Sequence, residues 1–506
     1  MTRADRIALL LSLLAILVTY LVTDRIFERL PHIEDEMAYV WQAEAAAKGR
    51  LTTPSPVAPK SFLVPFVVDY NGQRFGKYPP GWPALLAMGV FFDARSLVNP
   101  LLAGLAVWLV YRLGKRTCTE TVDLLAAGLT LTSPFFLLNS GSLLSHPFGL
   151  VLSEAFALAW LDAWDEPRQN AWLPTLVAAF SLGILALTRP FTAVGVALPF
   201  ALHGLYLLIK GDGQVRRRLV VFGLVALGVS SLLFVWQFAV TGDPRINPYT
   251  LWWPYDKIGF GPGVGRLEAG HTLRQAWINT KFSLFVGAND LFGWGKYSWI
   301  FLPFGLLAAI RYRMGKVLLL GSVILSLFVV YLAYWIGSSL FGPRYYYEGL
   351  FSLTLLSALG IAYLAGWPVR PGDTWRRFTG WRRLRPLAVT AFVVLLLSTN
   401  LLVYTPMRLA AMHGLYGVTR ARLQPFSLPE ALEMAPALVV VHPNHWTEYG
   451  TLLELQNPWL DTPFIFIISR DARTDAAVAA QFPERRVIYY YPSEPDTFYT
   501  EPRLSQ

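Results

Sequence analysis

Long apolar runs, separated by short basic or Pro/Gly-containing breaks, dominate the chain. They lie near 7–23, 96–113, 121–139, 147–164, 171–188, 190–209, 218–240, 298–311, 316–336, 349–366 and 386–405. Runs of this kind suit the roughly 30 Å hydrocarbon layer of a membrane, so the pattern predicts about eleven transmembrane helices. The run at 298–311 and the tight break at 188–190 are its weakest points. The first run is too long for a removable signal peptide and no small-residue cleavage site follows it. Two polar interruptions are large, 24–95 and 241–297. From about 406 the pattern changes. Short apolar runs at 437–441, 464–468 and 487–491 predict buried strands, alternating with segments such as 471–481 of helical character. The fold class is therefore an all-α polytopic membrane protein over 1–405, followed by a small α/β domain over 406–506.

Composition agrees: 54% of the 506 residues are hydrophobic and only 15% charged, outside the range of ordinary soluble proteins. The net charge of +10 is largely a topology signal. Arg3, Arg6, Arg112, Lys115, Arg116, Arg168, Lys210, Arg216 to Arg218, Arg311, Arg313, Lys316, Arg376, Arg377, Arg382, Arg383 and Arg385 all fall on one side of the expected spans. The positive-inside rule makes that side cytoplasmic. The N-terminus is then cytoplasmic, while both large loops and the C-terminal domain are extracytoplasmic, in a plasma (inner) membrane protein. Nucleic-acid binding is not needed to explain the charge. Cys118 is the only cysteine, so neither an intramolecular disulfide nor a cysteine metal site is possible. No internal repeat, P-loop or dinucleotide fingerprint is present, which disfavours an ATP-driven pump.

Candidate chemistry concentrates just after the first span. Glu34-Asp35-Glu36 open an Ala-rich segment that should be helical, and Asp35, Tyr39 and Gln42 share one of its faces. Lys77 precedes Tyr78-Pro79-Pro80-Gly81, a rigid turn back towards the bilayer. The plain alternative is that the acids only cap a helix and Lys77 only snorkels. Further along, Arg189 and Arg344 are cations on the outer side, against the basic-inside trend. Each expects an anion, which for Arg189 is either a substrate or an internal partner such as Glu154. Arg344 sits in a Gly-Pro turn followed by Tyr345, Tyr346 and Tyr347, a set whose fork and hydroxyls suit phosphate oxygens. His146 reads as a helix-entry residue that could still touch substrate. Tyr249, Trp252, Trp253 and Tyr255 form either an interfacial aromatic belt or a platform for sugar rings. His442 and His445 make only a weak metal pair without a third ligand.

Asp35-Glu36 with Tyr39, the Lys77-Tyr78-Pro79-Pro80 turn and Arg344-Tyr345-Tyr346 together resemble the GT-C superfamily of membrane glycosyltransferases. The resemblance is to the protein O-mannosyltransferases and the lipid A aminoarabinose transferase in particular, and covers residues 1–405. It implies an inverting glycosyltransferase that moves a hexosyl or pentosyl unit from a polyprenyl phosphate donor to an acceptor hydroxyl of a glycan, lipid or protein. Asp35 would be the base and Glu36 an orienting group. Lys77, Tyr78, Arg344, Tyr345 and Tyr346 would hold the lipid phosphate, with Tyr39, Arg189 and His146 as further substrate contacts. No metal and no cofactor are expected. The residues after the lysine differ from those of the aminoarabinose transferases, so acceptor identity does not carry over. A transporter or flippase of lipid-linked sugars is the alternative; it would ask for inverted repeats and broken mid-membrane helices, which the sequence does not display.

Overall fold

A computed structural model describes residues 1–164, 171–375 and 383–503. Arg168, Arg376, Arg377 and Arg382 of the basic set lie outside the described residues. The protein is 64% helical and multi-pass. Among the described residues six helical segments are long and apolar enough to cross a membrane: Arg3–Arg25, Arg95–Thr117, Pro190–Lys210, Gly213–Thr241, Arg344–Ala365 and the stretch that begins at Leu384. The pair Glu120–Leu131 and Pro134–Gly141, bent by 56°, would add a seventh. The bend follows from Pro134, which has no N–H to give and starts a new helix, capped by Ser133 Oγ accepting from Phe136 N at 3.3 Å. The runs at 171–188 and 316–336 form the 17-residue helices Trp172–Thr188 and Gly315–Tyr331. The weak run at 298–311 is a 3-10 turn, Gly295–Trp299, followed by the helix Leu302–Arg311.

The chain divides into two compact units. The first comprises Met1–Val22, Leu97–Leu233 and Pro254–Ala410. In it His146–Trp164 packs on Trp172–Thr188, Gly315–Tyr331 on Pro190–Lys210, and Leu302–Arg311 on Leu350–Ala365. Lipid offers no hydrophobic drive between helices, so close van der Waals approach must hold them, and small residues allow it. The last pair shows this: a Cβ on Gly360 would stand 2.1 Å from the Phe301 carbonyl oxygen, and one on Gly305 1.9 Å from that of Leu356.

The second unit comprises Thr23–Ser96, Phe234–Trp253 and Ala411–Gln506. Its larger sheet has Ala437–Val441 between the parallel strands Phe464–Ile468 and Arg486–Tyr490, with Phe498–Tyr499 antiparallel at the edge. Leu438 and Val440 enter one apolar cluster while Val439 and Val441 enter another, as expected for a parallel strand covered on both faces. The first large loop is built into this core. Phe62 lies in the cluster of Val440 and Ile465, and Ile468 N donates to the Ser61 carbonyl at 2.8 Å. The loop also forms a small sheet of Thr53–Pro54, Gln73–Gly76 and Val67–Tyr70.

Candidate active site

Within the second unit, the acidic triplet begins the helix Glu34–Ala47. Ala-rich sequence favours the helix, the acids sit where its dipole is positive, and Gly49, at φ 71°, ends it in the left-handed conformation usual at helix C-termini. The three acids are not equivalent. Glu36 is 1% exposed, and its Oε2 accepts from the backbone N–H groups of His32 at 2.8 Å and Ile33 at 3.2 Å. It caps the helix. Asp35 is half-buried, and its Oδ1 accepts from the Tyr78 hydroxyl at 2.6 Å.

Lys77 is delivered to this place by a hairpin. The strands Val67–Tyr70 and Gln73–Gly76 are joined by Asn71-Gly72, both at positive φ (50° and 74°), the primed-turn geometry that suits the twist of paired strands. Lys77 continues directly from the second strand, and its N–H donates to the Phe66 carbonyl at 2.9 Å. Tyr78 is fixed on three sides. Gln42 Nε2 donates to its carbonyl at 2.9 Å, the Tyr39 ring lies 4.5 Å away, and Tyr249 meets it edge-on at 5.6 Å. Burial first, and the neighbouring Asp35 carboxylate second, push the Tyr78 phenol well above its usual range. Tyr78 is therefore a neutral O–H donor to Asp35 across the working pH range.

The Lys77 side chain is only 3% exposed and stands in a box of aromatic rings. Its Nζ lies 3.7 Å from the Phe66 ring centre, 4.8 Å from Trp253, 4.9 Å from Tyr249 and 5.3 Å from Tyr78. Ring faces are electron-rich and attract a cation, and the box holds the ammonium beside Tyr78, the residue that contacts Asp35. Of the aromatic set left open between belt and platform, Tyr249 and Trp253 serve this box. Trp252 packs on Phe66 at 5.6 Å. Tyr255 belongs to the first unit, edge-on to Trp335 at 5.5 Å.

Arg189, His146 and Arg344 fall in the first unit. An ion pair for Arg189 is present, but with Glu348 and not with Glu154. Arg189 Nε is 2.7 Å from Glu348 Oε1, and His146 Nδ1 is 3.5 Å from the same oxygen. Arg189 also reaches Ser145 Oγ at 3.2 Å and Thr192 Oγ1 at 3.2 Å. Glu348 and His146 are buried at 0% and 2% exposure. His146 begins the helix His146–Trp164, as its entry-residue reading expects. Arg344 begins the turn Arg344–Gly349, and its guanidinium lies 5.9 Å from the Tyr345 ring centre. Tyr345 stacks on Tyr331 at 5.2 Å with 6° between planes. Tyr346 turns inward against Phe328 at 4.4 Å. In the second unit His445 caps the helix Trp446–Leu452 and His442 stacks on Tyr491 at 4.6 Å.

Sequence reasoning missed Phe66 as a wall of the Lys77 box and Glu348 as the partner of Arg189. Glu348 carries a signal, a carboxylate inside an apolar span, where an ionisable residue usually marks a pairing or a site. Phe66 carries none, since nothing in its local sequence sets it against a lysine eleven residues on.

No protein-family model matches the sequence, and no curated protein matches it by sequence. Solved structures do match by shape. ArnT from Cupriavidus metallidurans, bound to undecaprenyl phosphate, matches with TM-score 0.56 and 14% identity, over 95% of this chain and 89% of that one. The apo oligosaccharyltransferase of Archaeoglobus fulgidus matches with TM-score 0.51 and 12% identity, over 88% of this chain and 63% of that one. The mycobacterial arabinofuranosyltransferase AftD matches with TM-score 0.51 and 13% identity, over 93% of this chain and 32% of that one. The chain thus spans under two thirds of the length of the last two. It has the fold of the GT-C membrane glycosyltransferases.

Proposed function

We propose that this protein is an inverting glycosyltransferase that moves a sugar from a polyprenyl-phosphate-linked donor to an acceptor hydroxyl on the extracytoplasmic face of the membrane. The observation that carries the reading is the Tyr78 hydroxyl bound to Asp35 at 2.6 Å beside the boxed Lys77 ammonium. Asp35 takes the proton of the acceptor hydroxyl as its oxygen attacks the anomeric carbon from the face opposite the phosphate. The new carbon–oxygen bond forms while the anomeric carbon–phosphate oxygen bond breaks, and the electron pair leaves with the polyprenyl phosphate. Lys77 stabilises the charge that grows on that phosphate. Arg344, with Tyr345, is proposed as a lipid-phosphate contact of the first unit. Tyr346, packed against Phe328, is assigned to shaping its surroundings. This arrangement gives the charge stabilisation to protein cations and calls for no metal. The undecaprenyl phosphate in the ArnT structure supports a lipid-phosphate donor.

The test is transfer by the purified protein from labelled polyprenyl phosphate sugars to cell-envelope fractions. Asp35→Asn keeps the size of the side chain and can still be held by Tyr78, but it cannot take the proton. Turnover should fall by about 10²–10⁴-fold while donor binding and melting temperature persist. An Asp35→Asn protein that transfers at near-native rate would sink the mechanism.

A further inference from the structure

A charged cavity of about 410 Å³ lies in the first unit at the basic end of the Arg95–Thr117 helix. Arg112, Lys115 and Arg116 line it together with Asp5, Asp162 and Trp108. Its charges do not cancel. Lys115 pairs with Asp5 and Arg116 with Asp162, whereas no carboxylate among the described residues pairs with Arg112, which is exposed. Tyr111 adds its hydroxyl to Asp5 at 2.6 Å, so that carboxylate is already fully engaged. Among the side chains that line the cavity, three cations face two carboxylates, which leaves one net positive charge on the side chains.

The helix that carries this charge also carries an apolar track leading up to it. At 100° per residue, Leu97, Leu101, Leu105, Trp108 and Arg112 fall within an arc of about 80°. The three leucines are 40%, 56% and 44% exposed on a helix that is apolar enough to span a membrane. A stripe of exposed leucines, then an indole, then a guanidinium matches the order of an acyl chain, the interfacial layer and a phosphate along a phospholipid. We propose that this cavity binds the phosphodiester headgroup of an anionic phospholipid, with Arg112 as its principal ligand and the Leu97 to Leu105 stripe along its acyl chain. The basic-inside rule places that lipid in the cytoplasmic leaflet.

The experiment uses the full chain, stripped of lipid in detergent and returned to nanodiscs of phosphatidylcholine, with or without phosphatidylglycerol. Phospholipid retained through native mass spectrometry and the melting temperature are the readouts. Phosphatidylglycerol should be retained and should raise the melting temperature. Arg112→Gln should retain it roughly tenfold less, the scale of one charge-assisted hydrogen bond, and should melt like the unsubstituted protein in phosphatidylcholine alone, because Arg112 is exposed. Arg112→Lys should restore most of the retention, and Arg313→Gln, a charge loss at another exposed site, should leave it unchanged. Three results would each overturn the proposal: equal retention by Arg112→Gln, equal loss in Arg313→Gln, or millimolar inorganic phosphate alone reproducing the melting shift, which would assign the site to a free anion.

Discussion

Two neighbouring carboxylates, Asp35 and Glu36, meet different partners because successive residues of a helix point about 100° apart. Glu36 spends its acceptor capacity on the backbone of His32 and Ile33, where a carboxylate serves the otherwise unsatisfied donors of a helix start. Glu36→Gln should therefore cost about 1 kcal/mol of stability and leave the rate per folded molecule within a few-fold, checked by thermal melting alongside transfer. The cations separate by substitution too. Lys77→Ala or Arg344→Ala should weaken lipid-phosphate binding and slow turnover by about 10²–10³-fold. Lys77→Arg should recover only part of the rate, since the planar fork keeps the charge but does not fit a box of rings set around a compact ammonium. Unchanged donor binding in both alanine variants would remove these residues from the phosphate. The acids and Lys77 were legible in the sequence because charges at the edge of an apolar run stand out. That Glu36 caps the helix while Asp35 meets Tyr78 was not, because it depends on side-chain direction.

At the level of elements, the hairpin Val67–Tyr70 to Gln73–Gly76 is the device that brings Lys77 and Tyr78 to the helix Glu34–Ala47. Its Asn71-Gly72 turn carries a local hairpin signal that went unused in the sequence reading, where the loop was expected to be irregular. Its docking carries no such signal. Gly76 lies so close to that helix that an added Cβ would stand 2.3 Å from the Gln42 side chain, which itself holds the Tyr78 carbonyl. Gly76→Ala should thus cost about 1–3 kcal/mol, the usual penalty for overpacking, and should reduce turnover more than donor-free stability explains, because it shifts Tyr78 relative to Asp35. The outcome that removes this role is a Gly76→Ala protein that melts and transfers like the parent.

Across the whole molecule, the first large loop and the C-terminal segment share one compact unit, and a half-buried acid pair, Glu44 and Glu454, lies within it. Burial first, opposed by Arg95 and reinforced by Glu454, raises the Glu44 carboxyl from 4.5 to about 8. Glu454, which pairs with Arg95, is raised as well, with burial the main cause. A carboxyl raised in the folded state holds its proton where the unfolded chain has lost it, so its contribution is fully present below about 4.5 and is lost as pH climbs to about 8. The stability of the protein should fall over that window, and Glu44→Gln should flatten the fall, as melting temperatures measured from pH 5 to 8 would show. His32, lowered by burial, works in the opposite sense below its ordinary value, so the comparison of variant with parent isolates the Glu44 part.

What the sequence determined by itself is whatever composition and period can carry. Apolar runs of membrane-crossing length, basic breaks between them, strand-like runs after 406 and charged residues just outside the first span are all local properties; among the described residues six helices are long and apolar enough to cross a membrane, and the three runs after 406 are strands. What tertiary structure alone decided is which distant groups share a space. The Lys77 box takes Phe66 from one loop and Tyr249 and Trp253 from another, and Arg189 takes Glu348 in place of Glu154. The C-terminal strands, which read as a separate domain, accept Phe62 of the first large loop into their core. The physical reason is the same in each case: a cation–π contact, an ion pair and an apolar cluster are short-range in space but indifferent to separation along the chain, so no local window of sequence contains them.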